Sequence, residues 1–147
     1  MYVHMCMRGH REWCDFQITS HAPFVVAIAL AFWRGSYDVC LLVAAVVVSS
    51  VGYHRGREKK GAVAAVDSLC AKSLFLYGLI QVRRATCPAM AVGMALLASA
   101  TAGTYVFTHF YTDKKLYERV HPFGLHVVPG VWAMLVALYS PPLLWFA

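Results

Sequence analysis

Ser50 and His54 stand four residues apart, and Asp67, His121 and His126 follow in a chain otherwise poor in polar groups. Residues four apart on a helix share a face, so Ser50 and His54 point the same way. Imidazoles from separate helices bind zinc through neutral ring nitrogens, and three of them leave a fourth position to water. The metal lowers the pKa of that water to about 7, which makes hydroxide available at neutral pH. A carboxylate such as Asp67 can orient the water and carry its proton to a leaving group. A hydroxyl such as Ser50 can support the site by hydrogen bonding or stabilise an oxyanion. The candidate set for one shared site is Ser50, His54, Asp67 and His126.

The elements that position them follow from composition. The chain has 147 residues, of which 60% are apolar and 14% charged, and its mean hydropathy is +0.58. A soluble domain of this size carries about 25% charged residues. Too few charges remain to coat a water-facing surface, so disorder, a collagen-like chain and a disulfide-rich secreted module are excluded. An all-α integral membrane protein is left. Five stretches approach the roughly 20 apolar residues that a spanning helix needs: 16–33, 37–53, 62–82, 86–111 and 123–146. A polar leader, 1–15, precedes them, and a retained first helix fits it better than a cleaved signal peptide. Arg34-Gly35, with Asp38, turns the first two helices into a tight hairpin, while Pro129 and Pro141-Pro142 are expected to kink or fray the last. Of the five cysteines none forms a C-x-x-C pair, so they read as packing residues.

Lysine and arginine placement sets the orientation. Arg8 and Arg11, then Arg55, Arg57, Lys59 and Lys60, then Lys114, Lys115 and Arg119 fall on one side of a five-helix bundle. The other side has only Arg34, Arg83 and Arg84. The N-terminus is therefore expected in the cytoplasm and the C-terminus outside or in a lumen. The net charge of +6 belongs to short clusters at helix ends, which suits anionic lipid heads and not nucleic acid.

That orientation gathers His21, His54, Asp67, His109, His121 and His126 into one membrane layer on the cytoplasmic side. Intramembrane ionisable residues are costly and mark function by default. His21 and His109 also fit hydrated headgroup positions, with support of the site as their other role. Lys72, five residues after Asp67, points about 140° away around the helix and lies about 7.5 Å deeper, so a direct ion pair between them is not expected.

Ser50-Val51-Gly52-Tyr53-His54 at a helix end, Asp67 in the next helix and a histidine pair at the start of the last one form a pattern. It resembles the CREST superfamily of membrane proteins, which includes alkaline ceramidases, progestin/adiponectin-type receptors and proteins related to myomaker. The resemblance implies a zinc held by three histidines near one membrane face. The family pattern is S-x-x-x-H in the second helix, Asp in the third and H-x-x-x-H in the seventh. Carried over, Ser50, His54 and Asp67 match their positions, and His121 and His126 are the candidates for the last pair. The resemblance thus implies His54, His121 and His126 as metal ligands and Asp67 and Ser50 as catalytic residues. The last pair is five apart where the family has four. On a continuous α-helix that spacing splays them by about 140°, so His121 is expected on a non-helical lead-in at Pro122 and Gly124. Five helices in place of seven is the second departure, and removal of a two-helix hairpin keeps the motif residues on one face.

Three functional expectations follow. One is a zinc-dependent hydrolase of lipid amide or ester bonds. A second is a non-catalytic membrane scaffold or complex subunit, and a third a receptor that uses the metal site to bind a lipid. A proton or ion transporter built on Asp67 and Lys72 is weaker. Expected partners are membrane lipids, a lipid substrate or ligand, and a second copy or another subunit.

Overall fold

In the computed structural model, residues 16–56, 61–110 and 114–143 are described, and all regular structure among them is helical. The leader 1–15, with Arg8 and Arg11, lies outside the described residues, as do Arg57, Lys59 and Lys60. The elements are α1 (Phe16–Thr19), α2 (Ala22–Trp33), α3 (Tyr37–Arg55), α4 (Ala62–Val82), α5 (Pro88–Phe110), α6 (Lys114–Pro122) and α7 (Val128–Tyr139). A π-helical turn, Phe123–Val127, joins α6 to α7 without a break. Together they make five segments long and apolar enough to cross a membrane, the last running from Leu116 to Tyr139.

Proline chemistry explains where the helices depart from the expected spans. The first is interrupted at Ser20 and His21, because Pro23 offers no N–H to the preceding turn and its ring crowds the carbonyl four residues back. The last begins at Lys114 and not at 123, so the expected non-helical lead-in is corrected: His121 sits in α6, and the extra residue is taken up by the π-turn. It stops at Tyr139, short of the expected 146, since Ser140 is extended (φ −119, ψ 139). A residue before proline, here Pro141, is pushed out of the helical region.

The hairpin between α2 and α3 ends α2 with a glycine cap. Gly35 has φ +69, its N–H bonds the Phe32 carbonyl at 3.1 Å, and the Ser36 N–H reaches back to Ala31 at 2.8 Å. This pairing satisfies carbonyls that a helix end leaves open, and it needs the left-handed backbone that glycine adopts without strain.

The core lies among α2, α3, α5 and α7. Phe24, Ala27 and Ala31 meet Val39, Val43 and Val46, with Met94, Ala98, Trp132 and Val136 closing the set. Cys40 and Cys70 pack against its edge. α4 is peripheral, with only Gly78 and Gln81 buried. At Gly78 a Cβ would stand 2.6 Å from the Trp132 ring, so glycine is what lets α4 approach α7. At the bundle end away from the histidines, Asp38 accepts hydrogen bonds from the Tyr77 hydroxyl and the Leu143 N–H, both at 2.7 Å. That clasp ties the first hairpin to α4 and to the end of the last span.

Candidate metal centre

Each histidine of the candidate site arrives on a different span. His54 closes α3, His126 sits in the π-turn, and His21 caps α2 at the break that Pro23 imposes. All three are buried, at 1%, 3% and 2% exposure. One nitrogen of each lies within 4.8 Å of the others. His54 Nε2 and His126 Nε2 are 3.2 Å apart. Two nitrogens each about 2.0–2.1 Å from a tetrahedral ion stand about 3.3–3.4 Å apart, so the pair already has the spacing of two zinc ligands.

The outer nitrogens are held from behind. His21 Nδ1 lies 3.0 Å from the Ile18 carbonyl, an acceptor only, so Nδ1 carries the proton and Nε2 the lone pair. That Nε2 is buried and makes no hydrogen bond. An orphaned buried nitrogen is costly in a protein interior, and a cation would satisfy it. His126 Nδ1 lies 2.7 Å from Ser20 Oγ, whose hydroxyl can donate to the Gln17 carbonyl at 3.3 Å. With that donation the Nδ1–H gives its hydrogen to Ser20 and Nε2 is left as a ligand. Such backing partners fix the tautomer and raise the basicity of ligating imidazoles. The donor set therefore fits a divalent cation.

His121, expected as a ligand, is brought to the edge of this set. Its ring centroid is 5.1 Å from that of His126 and 5.3 Å from that of His54, edge-on to both, with Tyr117 on its other side at 4.7 Å. The third nitrogen of the close group is that of His21. The π-turn explains how two histidines five apart share a side: the Val128 N–H bonds the Phe123 carbonyl, and a turn closed over five residues brings the fifth where an α-helix brings the fourth. His109 stays out, exposed on α5 and stacked on Tyr105.

Asp67 and Ser50 join the histidines as neighbours. The Asp67 carboxylate accepts from Ser49 Oγ at 3.3 Å, is hydrogen-bonded to Ser50 and lies within electrostatic reach of His54. Ser49 and Ser20 carried no signal in the sequence by themselves; His21 did carry one, in the proline two residues after it. A cavity of about 620 Å³ opens in front of this group. Ser50, His54, Asp67, His121 and His126 line it near the histidine end, and Trp132 and Val136 line it deeper. From Asp67 to Gly78, another lining residue, is about 16 Å along the helix axis. The lining is overwhelmingly apolar, as expected of a ligand cleft with a few convergent polar groups.

Comparison with protein-family models, with curated proteins and with solved structures gives no match for this chain.

Proposed function

We propose that the chain is an intramembrane zinc-dependent hydrolase of lipid amide or ester bonds, CREST-like in its motif residues. The observation that carries this reading is the meeting of three buried imidazoles from three spans at the head of an apolar cavity, with a carboxylate beside them. His21, His54 and His126 would hold the metal, with the cytoplasmic side of the membrane as the side that the lysine and arginine placement favours.

When bound, zinc supplies Lewis acidity and an acidified water. Asp67 would serve as the proton carrier of such a hydrolysis, accepting a proton from the attacking water and giving it to the departing nitrogen or oxygen as the acyl bond breaks. Ser49 and Ser50 orient the carboxylate through their hydroxyls. The apolar walls take the acyl chain and keep bulk water from the reacting bond. Imidazole suits zinc, and His21, His54 and His126 would supply the three protein ligands usual in catalytic zinc sites.

The test uses the full chain purified in detergent, with zinc measured by mass spectrometry and turnover measured on a fluorogenic lipid amide and the matching ester. The expectation is about one zinc per chain, and an Asp67→Asn protein that keeps the metal while losing about 100-fold or more of the turnover. Folded, zinc-free protein overturns the reading, as does full turnover in Asp67→Asn.

A further inference from the structure

Lys72 is unused by that chemistry, and its position is unusual. It is the eleventh of the 21 residues of α4, which puts it at mid-depth, and no other Lys or Arg stands away from the end of a span. Mid-depth is about 15 Å from either edge of the hydrocarbon, too deep for the snorkelling that rescues lysines near helix ends. Among the described residues it makes no hydrogen bond or ion pair. Asp67, the one carboxylate lining the cavity among the described residues, lies about 140° around the helix and is occupied by Ser49 and Ser50. Lys72 is exposed and lines the 620 Å³ cavity together with Ala71 and Phe75. A cation in this place is retained against a real insertion penalty only if something in the cavity meets it.

We propose that Lys72 is a specificity residue that pairs with a negative charge on the cavity's ligand, so that the cavity takes long-chain amphiphiles bearing a carboxylate or phosphate over neutral ones. The inference rests on the reading of the cavity as a lipid site, and it is independent of which metal the histidines hold. The apolar lining beyond the lysine, at Leu74, Trp132 and Val136, receives the chain. A charge-assisted hydrogen bond in a low-dielectric cleft is stronger than one in water, which gives the pairing its selectivity.

The experiment measures binding of palmitate, hexadecyl phosphate and hexadecanol to the full chain in nanodiscs. These share a chain length and differ in the head. The expected result is that at least one anion binds about tenfold or more tighter than the alcohol, a preference worth 1.4 kcal/mol per factor of ten. The two anion arms separate a carboxylate source from a phosphate source. Lys72→Met, which removes an intramembrane charge, brings all three ligands within about twofold, and Lys72→Arg keeps the preference. Equal binding of anion and alcohol by the unaltered chain overturns the inference while leaving the lipid cavity standing, and needs no variant to fold. Persistence of the preference in Lys72→Met overturns it too. No binding of any of the three overturns the cavity reading itself. In the unaltered chain stripped of metal by a chelator the preference persists, so loss of the zinc chemistry and loss of the charge selectivity are read separately.

Discussion

His54 Nε2 and His126 Nε2 meet at 3.2 Å across 72 residues of sequence. One lies at the end of the second span and the other in the first half of the fifth, so the contact ties these two spans together. Two imidazole nitrogens at this distance either share a proton or turn both lone pairs to one cation. His21, whose Nε2 has no hydrogen-bond partner, favours the cation, because a shared proton between the other two leaves it orphaned.

The choice of third ligand is therefore the first point to measure. His21→Ala is expected to weaken zinc binding more than about 100-fold, since loss of a ligand exceeds the 10–100-fold that loss of a backing partner costs. His121→Ala, at the edge of the set, is expected to lower it by less than about tenfold. Titration with a chromophoric zinc chelator distinguishes the two, and the opposite ranking restores His121 as ligand.

Ser20 provides a subtler change. Ser20→Ala removes the oxygen 2.7 Å from His126 Nδ1 and leaves all three ligand nitrogens in place. A drop of about 10–100-fold in zinc affinity is expected, with the fold retained as judged by far-UV circular dichroism. Unchanged affinity would show that Ser20 has no part in holding the ring.

Acid should release the metal. Imidazoles bind metal only when neutral, so protons compete for the ligands and affinity falls as pH drops. Titration from about pH 8 to about pH 4 crosses the ordinary range of histidine charging and the range below it where buried imidazoles charge, and is expected to lower zinc affinity toward the acid end. A chelator competition series at fixed ionic strength reads it; a flat profile argues against histidine ligation.

Packing is tested at Gly78. A Cβ there meets the Trp132 ring at 2.6 Å, and Trp132 is itself only 3% exposed, so the ring has little room to yield. Gly78→Ala is expected to cost about 1–3 kcal/mol, the usual range for an overpacked contact. A lowered melting temperature in detergent is the readout, and no change would mean that α4 shifts outward freely.

Much of this was legible in the sequence, for identifiable reasons. Ala62–Val82 was bounded by a charged loop before it and Arg83-Arg84 after it, so its limits were plain. Ser50, His54, Asp67 and His126 could be gathered on one layer because charges are rare here and each polar residue is informative. His21 was legible as a neighbour of that layer but not as a participant, since hydropathy over a window does not register a two-residue break; Pro23 does. The angular position of His121 was the least accessible. A π-turn saves no local hydrogen bond that the sequence advertises, and it forms where packing on both flanks demands different phases.

That last point bears on how such a chain can change. One residue more than an α-helical turn holds, accommodated at Phe123–Val127, gives the two halves of a single span separate angular settings. The half carrying His126 is turned to the other histidines, while the half carrying Trp132, Ala133 and Val136 is turned to the core. Chemistry and packing, which a uniform helix would lock to one phase, are decoupled by one residue. Deletion of one residue from the turn would keep every remaining side chain and yet rotate the two duties against each other, a lesion of register and not of side-chain chemistry.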